Sequence, residues 1–243
     1  MEEILSDMMK NPHIHLPMPI SNVDPSISTV TKLLEIDAKY RIYQRSGILK
    51  LYGKDTEIVV WRPNVITTGV LGAGHNTLSF SFSGCCMARY SVSGKYYTAH
   101  IHCDKYAEPD CRYNFIKYID DKKIYNFLIF RPLMPEDIFA KLENEQRLHI
   151  WGLISKNNNC YTLCLEENEN GCEFKIICIV QHIDAQKNRG NLKSGLFTTI
   201  PECNGSRGFS ELRQRWDVIF RNERCDLVYV DEGYRRCLQR WRK

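Results

Sequence analysis

The 243-residue chain has eleven cysteines but no C-x2-C pair, which removes the commonest spacing of a structural zinc site. It has no apolar run near the roughly 18 residues of a membrane span. Its start, Met1-Glu2-Glu3, lacks the basic-then-apolar layout of a secretory signal. The expectation is a soluble chain with no membrane span, which leaves its cell by another route if it leaves at all. No internal repeat or low-complexity tract is present. Gly69, Gly72 and Gly74 are followed by no Lys-Ser or Lys-Thr pair and lead into a strand pattern. That argues against a phosphate loop and for a bend at the rim of a site, with His75 a surface residue of that loop. Excess charge is also scarce, since 33 Lys and Arg against 29 Asp and Glu leave +4, too mild for a dedicated nucleic-acid binder.

What is present suits a globular chain, with 43% apolar and 26% charged residues. The length fits one domain over residues 1–243, with an irregular lead-in over 1–27 that carries the prolines at 12, 17, 19 and 25. The cysteine count is odd and Cys85 and Cys86 are adjacent, so a reduced compartment is expected rather than a disulfide framework. Cys160, Cys164, Cys172 and Cys178 read as strand thiols. No metal or cofactor is expected.

Periodicity predicts a frayed helical turn over Met1–Lys10 and a short helix over Ser28–Ile36. Strands follow at Tyr40–Gln44, Ile48–Tyr52, Glu57–Trp61 and Val65–Val70. Thr77 to Ser83 alternates, with Leu78, Phe80 and Phe82 predicted to face the core and Thr77, Ser79, Ser81 and Ser83 to line a polar cleft. A helix is expected over Pro109–Asp121, a strand over Lys123–Phe130 and a helix from Pro135 to about Glu145. Strands then run over His149–Ile154, Tyr161–Glu166 and Glu173–Val180. A long loop over Asp184–Ser206 precedes an amphipathic helix over Phe209–Arg224, and a last helix spans Gly233–Lys243. The whole reads as α+β, a mostly antiparallel mixed β-sheet or sandwich with flanking helices.

The chemistry concentrates in one hairpin. Ser83-Gly84 delivers Cys85 at the head of a strand, and Ser93-Gly94 turns the chain into a second strand that carries His100 and His102. With a two-residue turn, Val92 pairs with Lys95, Cys85 falls opposite His102, and His100 is the diagonal neighbour on the same face. A slip of one residue puts Cys86 with His100 instead. A thiol beside an imidazole is the raw material of a nucleophile and its base. The same residues with Cys103 are soft metal ligands, but Cys103 has the opposite parity and would not converge with the histidines.

Ser83-Gly84-Cys85, followed fifteen positions later by His100, resembles the Cys–His signature of toxin deamidases similar to cytotoxic necrotizing factor and Burkholderia lethal factor. It is more distantly similar to that of the chemoreceptor glutamine deamidases. The resemblance covers roughly residues 65–104, with Phe82 where those families carry leucine. It implies a deamidase-like fold and a protein glutamine deamidase of toxin or effector type, with Cys85 as nucleophile and His100 as base. Those families orient the histidine with a threonine or a backbone carbonyl ahead of the cysteine. The resemblance implies Ser79, six residues before Cys85, as the third group, a serine where those families carry threonine, beside Thr77. The implied partner is a target protein bearing the substrate glutamine, such as a host GTPase or translation factor, met in the host cytosol after non-classical secretion or injection. A chain that stays in its own cell would be cytoplasmic.

A non-enzymatic reading rests on the basic tail from Tyr234 to Lys243, whose arginines interleave with Tyr234 and Trp241. Such a tail suits RNA or an acidic protein, or else a solvated final helix that packs Leu238 and Trp241 inward.

Overall fold

The computed structural model describes residues 2–16, 33–71, 74–103, 111–140, 147–168, 171–186, 214, 216, 218–220 and 222–239. In chain order the elements are α1 (Glu3–Lys10), β1 (His13–His15), β2 (Leu34–Asp37), β3 (Ile42–Gln44), β4 (Ser46–Leu51), β5 (Lys54–Val59), β6 (Ile66–Gly69) and β7 (Asn76–Ser79). These are followed by β8 (Cys86–Val92), β9 (Lys95–Ile101), α2 (Cys111–Asp121), β10 (Phe127–Phe130), α3 (Pro135–Ile138), β11 (Leu148–Ile154), β12 (Cys160–Glu167), β13 (Glu173–His182) and β14 (Cys225–Val230).

The strands form two mixed sheets in an α+β fold. The larger runs β1-β13-β12-β11-β7-β5-β4, and β14 shares the outer edge of β13 with β1. The smaller runs β10-β8-β9-β6-β3-β2. Pairing is antiparallel throughout except for β3 with β6 and β5 with β7.

Alternation of side chains sorts each strand between two layers. On β8, Cys86, Ala88 and Tyr90 join Cys111, Phe115 and Ile119 of α2 in one cluster, whereas Met87 and the preceding Cys85 lie in another with Phe130, Ile154 and Cys164. On the outer face of the larger sheet, Trp151, Leu163 and Ile176 pack with Ile4, Leu5 and Met8 of α1. The space between the sheets is therefore part apolar and part polar. Its polar part is centred on the buried Arg89 of β8. That guanidinium donates to the carbonyls of Ser155 (2.7 Å), His75 (3.0 Å) and Ile154 (3.3 Å) and to the hydroxyls of Thr77 (3.0 Å) and Thr98 (3.2 Å). These bonds tie β8 to β7 and the end of β11 in the other sheet, with neutral acceptors in place of water around the buried cation.

Several local expectations are corrected. Leu34–Asp37 is an edge strand paired to β3 (Leu34 with Gln44, Glu35 with Tyr43), where the spacing predicted the end of a helix; residues 28–32 lie outside the described residues. Residues 2–16 are more ordered than a frayed turn and an irregular lead-in, because α1 buries Ile4, Leu5 and Met8 and β1 pairs with β13; residues 17–27 of that lead-in lie outside the described residues. The strand expected from Lys123 begins at Phe127, after Lys123 (φ +51°) turns the chain out of α2. α3 ends at Ile138 because Phe139 is extended and bridges to Leu238; residues 141–146 are not described. Helical residues at 214, 216 and 218–220 match the expected amphipathic helix, with Trp216 and Phe220 buried, but it gives way to β14, a strand that periodicity missed. The loop expected over 184–206 lies mostly outside the described residues. The last expected helix is a 3-10 turn over Glu232–Cys237, capped by Asp231, which accepts from Gly233 N at 3.1 Å; residues 240–243 are not described.

Candidate active site

The β8–β9 hairpin has the expected register. Ser93 (φ +51°) and Gly94 (φ +78°) are both left-handed, as a two-residue turn of this hand requires. Val92 pairs with Lys95, Met87 with His100 and Cys86 with Ile101, where the ladder ends; Cys85 and His102 lie one step beyond it, and the structure brings no hydrogen bond between Cys85 and His100 Nε2, which has no partner among the described residues. Cys86 points to the α2 side, where its sulfur is 4.0 Å from that of Cys103. The one-residue slip is thereby excluded.

The predicted hydroxyl line from Thr77 to Ser83 is divided. Thr77 and Ser79 are fully buried between the sheets rather than lining a cleft, while Ser81 and Ser83 are exposed. Thr77 lies 3.3 Å from Thr98 Oγ1 and does not meet a histidine. Ser79 does. Its Oγ is 2.7 Å from the Val59 carbonyl oxygen and 2.8 Å from His100 Nδ1. A carbonyl only accepts, so the one hydroxyl proton of Ser79 goes to Val59, and Ser79 must accept from His100 Nδ1–H. This fixes the neutral tautomer of His100 and puts its lone pair on Nε2. Among the described residues, that buried Nε2 has no hydrogen-bond partner.

His102 differs. Its Nδ1 accepts from Asn64 N at 2.9 Å, so the lone pair of its neutral ring is already used. Two histidines that periodicity leaves equivalent are thus distinguished by their hydrogen bonds. His75 is exposed, and its carbonyl accepts from Arg89.

Cys85 is 2% exposed. Burial, with a smaller contribution from Cys103, pushes its thiol up to about 12, while hydrogen bonds from the Cys103 and Ser83 backbones and the Trp61 side chain oppose that rise. Three N–H donors around one sulfur favour a thiolate wherever burial is relieved. Burial likewise pushes His100 down to about 3, with His102 adding to the effect. At rest the site therefore holds a neutral thiol and a neutral imidazole. Trp61, set edge-on to His102 at 5.6 Å, is a site residue that sequence reasoning missed. It stands 24 positions before Cys85, and nothing in its local pattern signals the contact.

Beside the thiol a groove of about 900 Å3 is lined by Trp61, Arg62, Phe82, Ser83, His149 and Glu167 among others. Phe82 is buried in the core as expected, but in the cluster of Met87 and Phe130 rather than that of Leu78 and Phe80. The left-handed Ser81 (φ +60°) breaks the alternation, and the Phe82 ring stacks on His100 at 4.2 Å and 8°. Gly84 takes φ +100°, a conformation that favours glycine for its backbone rather than for lack of room, since a Cβ there would meet nothing within 4 Å.

A second thiol–imidazole contact was also missed. Cys225 Sγ is 3.6 Å from His182 Nδ1, which is 3.2 Å from Glu223, while His182 Nε2 is 2.7 Å from Thr162 Oγ1. Burial and neighbouring carboxylates, Glu223 first, raise that thiol. Its partners come from β12, β13 and the segment just before β14, so no sequence spacing announces them. Among the described residues, no three His, Cys, Asp or Glu side chains are set to hold a metal ion. In the tail, Tyr234 packs 5.9 Å from Phe139 and Arg235 pairs with Glu232 at 2.9 Å; Trp241 lies outside the described residues.

No protein-family model matches the sequence, and no curated protein matches it. Among solved structures, the C-terminal domain of CNFy from Yersinia pseudotuberculosis aligns with 10% identity and a TM-score of 0.24, over 52% of this chain and 62% of that one.

Proposed function

We propose that this chain is a cysteine-dependent protein glutamine deamidase of toxin or effector type, with Cys85 as nucleophile, His100 as base and Ser79 as the group that orients the base. The reading rests on one observation. Ser79 commits His100 to the tautomer whose lone pair is on Nε2, which is buried and has no hydrogen-bond partner among the described residues.

In this mechanism His100 Nε2 takes the Cys85 proton as the sulfur attacks the carboxamide carbon of the substrate. Backbone N–H groups of the Gly84–Cys85 turn meet the developing oxyanion. The imidazolium returns the proton to the leaving nitrogen, and ammonia departs to leave a thioester. His100 then takes a proton from water as the hydroxide adds, and the sulfur leaves with that proton. The balance is one carboxamide and one water to one carboxylate and one ammonium. The product gains a negative charge on the target protein, which locks or blocks it.

The experiment is a comparison of the native chain with Cys85→Ser on host-cell lysate proteins, with Gln-to-Glu conversion read by mass spectrometry. Conversion by the native chain alone, with both chains equally folded, is the expected result. Equal conversion by Cys85→Ser would sink the reading. Conversion lost in Cys225→Ser instead would move the nucleophile to the second thiol.

A further inference from the structure

The thiol and the imidazole are sealed, at 2% and 1% exposure, although a groove of about 900 Å3 runs beside them. Phe82 is common to both. One face of its ring stacks on His100 with centroids 4.2 Å apart, and the same residue lines the groove with Trp61 and Ser83. On the larger sheet the ring is met by Gly152, where a Cβ would stand 3.0 Å from Phe82 Cε2. It is thus held between an imidazole and a bare backbone position, by apolar and stacking contact alone. Its segment follows the end of β7 and is bracketed by left-handed residues, Ser81 at φ +60° and Gly84 at φ +100°. Removing the ring from His100 breaks no side-chain hydrogen bond, because phenylalanine makes none.

We propose that Phe82 is a displaceable shutter over the Cys85–His100 centre, and that a carboxamide side chain arriving through the groove takes the ring's place against His100 to reach the thiol. A flat amide offers the imidazole a comparable stacking surface. It also brings a polar partner for His100 Nε2, which has none among the described residues. The identity of the entering group rests on the deamidase reading; the shutter itself does not. Phe82 acts through His100 and is a positioning residue.

The test is the rate of Cys85 carbamidomethylation by iodoacetamide, followed by peptide mapping across pH, in the native chain, Phe82→Ala and Phe82→Tyr. Phe82→Ala is expected to label Cys85 roughly 2- to 13-fold faster, the factor that corresponds to losing an aromatic contact of about 0.5–1.5 kcal/mol. Its pH onset should also move down, because water reaching the site relieves the burial of both groups. Phe82→Tyr keeps the ring and should keep the native rate and onset. A Phe82→Ala chain that labels Cys85 at the native rate, or that labels Cys164 and Cys178 faster by the same factor, would overturn the proposal.

A second measurement needs no variant. In the native chain under increasing sub-denaturing urea, Cys85 labelling should be nearly flat, as for a local opening, while labelling of Cys164 and Cys178 should follow global unfolding. Equal urea dependence for all three would overturn the shutter. Faster Cys85 labelling in Phe82→Ala without glutamine conversion by any chain would sink the deamidase reading and leave the shutter standing. Conversion by the native chain with labelling unchanged in Phe82→Ala would do the reverse.

Discussion

Ser79 Oγ accepts from His100 Nδ1 at 2.8 Å across the interface between the two sheets, because its own proton is given to Val59. Ser79→Ala leaves a buried N–H and a buried carbonyl without this partner. The expected cost is about 1–3 kcal/mol, read as a lower urea midpoint with unchanged slope. It should also free the imidazole to change tautomer, which the 15N shifts of the His100 ring report directly. Ser79→Thr keeps the hydroxyl and should restore the native tautomer. A native 15N pattern in Ser79→Ala would mean that the hydroxyl does not set the tautomer.

The burial of His100 makes stability depend on pH. Its folded-state value, about 3, lies below the ordinary value near 6.5, so the unfolded chain takes up a proton that the folded chain refuses. The stabilising contribution is complete above about pH 6.5 and declines as pH falls toward 3, at roughly 1.4 kcal/mol per pH unit. By pH 5 the loss is about 2 kcal/mol on that slope. His100→Asn retains a donor for Ser79 but does not titrate, so its stability should fall less than that of the native chain between pH 7 and pH 5. Parallel decline in the two chains would show that His100 is not the titrating group.

The hairpin was legible in the sequence because its turn is local. Ser93-Gly94 sets the hand of the turn, the turn sets the register, and the register sets the relation of Cys85 to His100 and His102. Ser79 was legible only through resemblance to a motif. Features fixed by contacts between distant segments were not legible. Leu34 and Ile36 have helix-compatible spacing, yet their backbone pairs with β3. The face of Phe82 depends on the φ of Ser81, a residue with no intrinsic preference for the left-handed region. Trp61 and the Cys225–His182 contact depend on which strands become neighbours, which no window of sequence records.

Arg89 joins the two sheets through a fork of donors that a shorter cation cannot reproduce. Arg89→Met removes this donor from the carbonyls of Ser155, His75 and Ile154; Ser155 O keeps the Asn158 N–H at 3.0 Å, so the expected cost is about 1–3 kcal/mol, the scale of a buried group left unsatisfied. Arg89→Lys should recover only a small part, since one ammonium cannot span those positions. Thermal unfolding of the three chains decides it. A lysine variant as stable as the native chain would mean that the charge, and not the fork, holds the sheets together.

Trp61 offers a finer test of the thiol environment, because Trp61→Phe keeps a ring against His102 and removes only the indole N–H that opposes the upward push on Cys85. The pH at which iodoacetamide begins to label Cys85 should therefore rise in Trp61→Phe, by less than burial itself raises the thiol. Glutamine conversion near neutral pH should fall accordingly. The two readouts separate the roles of this residue. A lower conversion rate with an unchanged labelling onset would assign Trp61 to holding the substrate in the groove, and a shifted onset with unchanged conversion would mean that thiolate formation does not limit the reaction.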